Sequence, residues 1–134
     1  VENQGKRTTW VYFDEMQILF KNKAQADFFT TLYSRIRKYG AIPTGITQNV
    51  ETLAAVEEGR KLLSNSEFMI LLKQKPQDLA VLKDIVNLTD KQIRYLARPK
   101  AKGTGLIVAG PIVVPFENPI PKHSKLYDLV ATDA

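Results

Sequence analysis

The sequence predicts an α/β fold, a sheet flanked by helices that ends in a terminal β-hairpin. Three observations carry this expectation. Short apolar runs alternate with segments whose apolar residues recur at helical spacing. Two of those runs lead into polar pairs, Asp14-Glu15 and Thr47-Gln48. Near the C-terminal end, two further apolar runs flank Ala109-Gly110-Pro111, a turn signal.

Thr9-Trp10-Val11-Tyr12-Phe13 is β-prone without alternation, which suits a strand buried on both faces in a parallel sheet. Asn22 to Tyr39 reads as a helix, with Phe28, Phe29, Leu32, Tyr33 and Ile36 at helical spacing and Gly40 as its stop. Ala41 to Thr47 reads as the second strand. Asn49 suits the cap of the next helix, and Glu51 complements that helix's N-terminus. Val50 to Leu63 reads as one or two helical pieces, broken or bent near Gly59, before a turn at Ser64-Asn65-Ser66.

Glu67 to Leu72 reads as a third buried strand. Pro76 suits the first position of a helix that runs to about Val86, because its missing N–H has no helical partner to lose. Thr89 and Gln92 stand at capping-box spacing and open another helix, which ends by Arg98-Pro99. Leu106 to Val108 and Ile112 to Val114 form the hairpin within Gly103 to Phe116. Pro115, Pro119 and Pro121 mark an extended exit. Ser124 to Thr132 reads as a short terminal helix with Leu126, Tyr127 and Val130 on one face.

The 134 residues suit one domain, and a composition of 44% hydrophobic and 25% charged residues is that of a globular chain. There is no cysteine, which excludes a disulfide scaffold, thiolate metal sites and a cysteine nucleophile. The single histidine, His123, does not build a common zinc site alone. A net charge of +5 mildly favours anionic partners. No apolar run approaches the roughly 20 residues of a membrane helix, and Val1 to Thr9 carries no signal-peptide core.

The acids Asp14 and Glu15 stand where a parallel sheet places ligands, beyond the C-terminal end of a strand. In phosphate-handling sheets the first acid holds Mg²⁺, usually through water, and the second polarises the attacking water. A solvated strand end would show the same two residues. Thr47-Gln48, one βα unit later, would lie beside them. Glutamine can donate to a γ-phosphate and accept from water, or the pair can be a plain strand exit. Arg35 and Arg37 close the first helix, either complementing its dipole or reaching a phosphate across a subunit boundary; Arg60 and Lys61 are second candidates. No G-x-x-x-x-G-K-[ST] string occurs, and Gly103-Thr104-Gly105 is a loop fragment without its lysine.

Taken together, Phe13-Asp14-Glu15, Arg35-Ile36-Arg37-Lys38-Tyr39-Gly40, Ala41 to Val50 with its Thr47-Gln48-Asn49, and Leu62-Leu63-Ser64-Asn65-Ser66-Glu67-Phe68 resemble the ATPases of conjugative transfer and type IV secretion. The resemblance is to the VirB/TraE-type conjugation ATPase of Gram-positive conjugative transposons and plasmids. It covers nearly the whole chain, although Pro76 to Phe116 matches more by layout than by motif.

The resemblance implies that residues 1–134 are the C-terminal part of a RecA-like P-loop NTPase domain, from the Walker B strand onward, with the Walker A segment upstream of Val1. It implies that Asp14 binds Mg²⁺ through water, that Glu15 activates water, and that Thr47 and Gln48 attend the nucleotide, Gln48 as γ-phosphate sensor. Arg35 or Arg37 would act on the nucleotide of a neighbouring subunit. The implied cofactors are ATP and Mg²⁺. The implied partners are further copies in a hexamer, the channel proteins at the cytoplasmic face of the membrane, and DNA. By itself the chain is expected to hydrolyse ATP negligibly.

Two other function classes fit the same residues. One is a non-catalytic interaction module with a degenerate ATPase shape. The other is a DNA-binding module, for which Lys73, Lys75, Lys83, Lys91, Arg94, Arg98, Lys100 and Lys102 supply charge.

Overall fold

The computed structural model of the chain describes residues 7–130. They divide into two compact units. The first holds the residues up to Ser66 together with Ala80–Asn87, and the second holds Glu67–Leu79 together with the residues from Leu88 onward.

In the first unit β1 (Thr9–Phe13) is followed by a 3₁₀ turn (Met16–Phe20) and α1 (Lys23–Ile36). The Asn22 side chain caps α1 by accepting from the Gln25 N–H at 2.9 Å. A second 3₁₀ turn (Arg37–Tyr39) carries the chain to Gly40, whose φ of 74° is the left-handed stop that only glycine adopts without strain. β2 (Ala41–Gly45) then pairs in parallel with β1, from Thr9 beside Ala41 to Phe13 beside Gly45. The strand is shorter than expected, so Thr47 and Gln48 lie beyond it.

α1 covers one face of this two-stranded sheet. Phe29 meets Phe13 edge to face at 4.9 Å and Phe20 at 5.5 Å, and the Tyr33 hydroxyl donates to the Pro43 carbonyl at 3.0 Å. Met16, Phe20, Ala26, Phe29, Val50, Leu53, Leu62 and Leu63 are buried in the same unit. Burying a ring such as Phe29 contributes roughly 2–3 kcal/mol. The opposite face corrects the sequence expectation: Trp10 is 59% and Tyr12 64% exposed, so β1 alternates rather than being buried on both sides. Phe28 at 72% exposure also departs from the apolar helix face expected for it.

The helical stretch after Asn49 is two helices, α2 (Val50–Ala54) and α3 (Glu57–Ser64). The break falls at Ala55-Val56, where Val56 is extended, and not at Gly59. Gly59 lies inside α3 for a different reason. A Cβ there would stand 1.9 Å from the Leu53 carbonyl oxygen, so only glycine lets the two backbones approach. Across the unit, Lys23 of α1 pairs with Glu58 of α3 at 3.0 Å.

The second unit is built on an antiparallel sheet of β3 (Phe68–Leu71), β4 (Thr104–Ala109) and β5 (Ile112–Glu117), in that order. The single sheet expected from the sequence is therefore two separate sheets, one parallel and one antiparallel. The hairpin turns through Gly110-Pro111 with φ of 55° at Gly110, the positive angle that a two-residue hairpin loop requires. Thr104 and Gly105 belong to β4 and not to a loop.

One face of this sheet packs through Leu71, Leu106 and Val108. The other shows Phe68 and Ile70 at 60% and 58% exposure, so β3 is not the doubly buried strand expected. α4 (Pro76–Val86) starts at proline, and the division between the units falls inside it, after Leu79. α5 (Asp90–Ala97) carries the expected Thr89–Gln92 capping box. α6 (Lys125–Val130) realises the described part of the terminal helix, with Leu126 and Val130 exposed and Tyr127 half-buried; residues 131 and 132 lie outside the described residues. No helix among the described residues is long and apolar enough to cross a membrane.

Candidate functional site

The C-terminal ends of β1 and β2 stand side by side because the two strands are parallel neighbours. Backbone bonds extend the pairing beyond the strands. The Ile46 N–H donates to the Phe13 carbonyl at 2.9 Å, and the Met16 N–H returns to the Ile46 carbonyl at 2.9 Å. Asp14 and Glu15 are thus held between two rungs that fix them against Ile46, Thr47 and Gln48.

Glu15 adopts φ 50° and ψ 42°, the left-handed region that costs a non-glycine residue roughly 1–2 kcal/mol. Its N–H donates to Asp14 Oδ1 at 2.9 Å, and its carbonyl accepts from the Ile18 N–H at 2.9 Å as the 3₁₀ turn begins. Such strain persists only where surrounding bonds over-determine it.

The side chains converge on one carboxylate. Gln48 Nε2 donates to Glu15 Oε1, and Gln17 Nε2 donates to Glu15 Oε2. Thr47 Oγ1 contacts Gln17 Oε1 at 2.6 Å and accepts from the Asn49 N–H at 3.2 Å. Asn49 in turn caps α2, its side chain accepting from the Thr52 N–H at 2.9 Å. Asp14 and Gln48 are exposed, whereas Glu15, Gln17 and Thr47 are half-buried. The cluster offers an open carboxylate, a second carboxylate dressed by amide donors, and a glutamine amide at the surface.

Four of the candidate residues, Asp14, Glu15, Thr47 and Gln48, therefore come together. Gln17 joins them without having been singled out from the sequence. Its only signal there is its position two residues after Glu15, which means nothing until the chain turns back after β1.

Arg35 and Arg37 lie elsewhere in the unit. They are exposed at the last turn of α1 and the following 3₁₀ turn, just before Gly40. Gly40 accepts from the Thr9 N–H at 3.0 Å, which puts this end of the helix at the beginning of both strands. A five-residue strand, roughly 15 Å, separates that end from Glu15. Arg37 bears instead on Tyr33, whose phenol is raised above its ordinary value by burial, partly offset by the Gly45 backbone and the Arg37 charge. Arg60 pairs with Asp84, and Lys61 pairs with Glu57.

All eight basic residues between positions 73 and 102 are exposed; Lys83 belongs to the first unit and the rest to the second. In the second unit a cleft of about 400 Å³ is lined by Leu72, Lys73, Pro99 and residues 101–104. Among the described residues no three His, Cys, Asp or Glu side chains group together as metal ligands.

The chain is similar in structure to VirB4 of Thermoanaerobacter pseudethanolicus, with a TM-score of 0.78 and 29% sequence identity. The match covers 86% of this chain and 32% of that one, so the chain spans about a third of that protein's length. The likeness supports the VirB4-type resemblance that the motifs carry. The mixed α/β architecture with its small sheets is similar to the VirB4 fold. No family model matches the sequence, and no curated relative matches it.

Proposed function

We propose that the chain is the C-terminal portion, from Walker B onward, of a RecA-like motor domain in an ATPase that energises conjugative DNA transfer or type IV secretion. One observation carries this reading: the acids at the end of β1 meet Thr47-Gln48 at the end of β2, with Gln48 bonded to Glu15. The similarity to VirB4 supports the system in which that site works.

The residues present fit the Mg²⁺ and water side of an ATP site; no phosphate-cradling G-x-x-x-x-G-K-[ST] string occurs among them. Asp14 is exposed and keeps Oδ2 open while Oδ1 accepts from the Glu15 N–H, so one hard oxygen faces outward for a metal-bound water. When bound, Mg²⁺ neutralises and orients the terminal phosphates. Glu15 accepts the proton of the attacking water as general base. Gln48, exposed and able both to donate and to accept, senses the terminal phosphate, and Thr47 supports it from the same loop. Arg35 or Arg37 serves a neighbouring subunit, since both stand a strand length from their own Glu15. The parent motor works as an oligomer, with a hexamer as the expected form. It sits with channel proteins at the cytoplasmic face of the membrane.

The test is Glu15→Gln in the intact motor. ATP hydrolysis should fall at least about 100-fold while ATP binding persists. Undiminished hydrolysis would remove Glu15 from the role of base. The exposed Lys73, Lys75, Lys91, Arg94, Arg98, Lys100 and Lys102 favour a second reading, in which the second unit contacts DNA phosphates. That reading requires binding that weakens steeply with salt.

A further inference from the structure

We propose that Gln17 is the positioning residue of the water-activating carboxylate: it pins Glu15 Oε2, so that Oε1 alone exchanges between Gln48 and the attacking water. The inference rests on the reading of Glu15 as general base.

The hydrogen-bond chain orients the Gln17 amide. Thr47 Oγ1 accepts from the Asn49 N–H at 3.2 Å, and its hydroxyl has two acceptors in reach, Gln17 Oε1 at 2.6 Å and the Asn49 carbonyl at 3.3 Å, of which Gln17 Oε1 is the nearer. The Gln17 amide is thereby oriented with oxygen toward Thr47 and Nε2 toward Glu15 Oε2. The flipped amide would set its oxygen against a carboxylate oxygen, two acceptors with no proton between them. Linked donors of this kind polarise one another and hold tighter than isolated bonds.

The two arms of the carboxylate differ in their anchorage. On the Oε2 side, Gln17 and Thr47 are half-buried, and Gln17 lies within the Met16–Phe20 turn that opens with the Met16 N–H bonded to the Ile46 carbonyl. On the Oε1 side, the donor is the exposed Gln48. Release of Gln48 toward a phosphate therefore bares Oε1 without loosening Glu15. A water at Oε1 then loses one proton to that oxygen as its own oxygen bonds to the γ-phosphorus. The bond from phosphorus to the bridging oxygen breaks, and its electron pair leaves with ADP. Gln17 touches neither water nor nucleotide in this arrangement and acts only through Glu15.

The experiment is steady-state ATP hydrolysis and separate ATP binding in the intact motor that carries this chain, comparing Gln17→Met, Glu15→Gln and the double variant. Gln17→Met should lower kcat about 10–100-fold with KM for ATP within about twofold, the cost of a misplaced catalytic group. In the Glu15→Gln background it should cost nothing further. Thr47→Val, which removes the orienting hydroxyl, should lower kcat in the same sense and serves if Gln17→Met does not fold. Abolished hydrolysis in Glu15→Gln with unchanged kcat in both Gln17→Met and Thr47→Val would overturn the role of Gln17 and leave the base intact. Unchanged hydrolysis in Glu15→Gln would overturn the base itself. A rise in KM with kcat preserved would make Gln17 a binding residue and also overturn the proposal.

Discussion

Gln48 donates from Nε2 to Glu15 Oε1, joining residues 33 apart in sequence at the ends of neighbouring parallel strands. The pairing puts the proposed sensor directly on the proposed base. On the proposed reading Gln48 occupies the oxygen that the attacking water would need, and a phosphate that drew Gln48 away would also free the proposed base.

Gln48→Leu is therefore expected to separate turnover from nucleotide affinity. The apolar side chain leaves Oε1 open but reports nothing about the phosphate. ATP turnover in the intact motor should fall about 10–100-fold, and ATP affinity should change little. Turnover and equilibrium binding measured on the same preparation decide it. Lost affinity with normal maximal turnover would make Gln48 a ground-state contact instead.

Gly59→Ala is expected to destabilise the first unit. The new Cβ would meet a backbone oxygen, that of Leu53, at 1.9 Å, and a main-chain atom cannot swing aside as a side-chain tip can. Overpacking of this kind costs about 1–3 kcal/mol or more. Urea unfolding of the chain should show a lower midpoint with an unchanged slope. A midpoint equal to that of the parent would mean that α2 and α3 sit farther apart than the structure has them.

Much of this fold is legible in the sequence because its signals are local. Asn49, and Thr89 with Gln92, announce helix starts through bonds spanning three residues, and each makes them. Gly110-Pro111 announces the hairpin by backbone angle alone. Asp14, Glu15, Thr47 and Gln48 are visible as polar pairs beyond apolar strands, and parallel pairing brings them together. Gln17 is hidden because the turn that returns it depends on the Met16 N–H finding the carbonyl of Ile46, thirty residues on. Trp10 and Tyr12 mislead because β propensity says that a strand forms, not which of its faces is covered. Gly59 misleads in its reason: glycine serves close packing where a helix break is expected. The two sheets look like one because alternation of strands and helices does not encode which strands pair.

Thr89→Ala is expected to cost about 1 kcal/mol, the usual value of an N-cap side chain. Thr89 accepts from the Gln92 N–H at 3.3 Å while the Gln92 side chain accepts from the Thr89 N–H at 2.8 Å. Losing the hydroxyl breaks one half of the box and spares the other. Equilibrium unfolding should therefore show a deficit for Thr89→Ala that Thr89→Ser restores. Equal stability of the alanine and serine variants would deny the cap its contribution.

The Lys23–Glu58 pair gives a pH signature with a definite sign. The Lys23 ammonium, hydrogen-bonded to Glu58, holds that carboxyl below its ordinary 4.5, and Glu58 with Asp27 holds Lys23 above its ordinary 10.5. A lowered carboxyl contributes stability that is present above 4.5 and is lost as pH falls through its folded value. A raised ammonium contributes stability that is present below 10.5 and is lost as pH rises through its folded value. Between those limits the contribution of the pair is level. Lys23 is 77% exposed, so the effect is small and salt-screened. Urea midpoints of the parent chain and Glu58→Gln should accordingly differ near neutral pH at low salt. They should converge both on acidification well below 4.5 and on adding salt. A Glu58→Gln deficit of the same size in acid as at neutral pH would assign the role of Glu58 to packing between α1 and α3 and not to its charge.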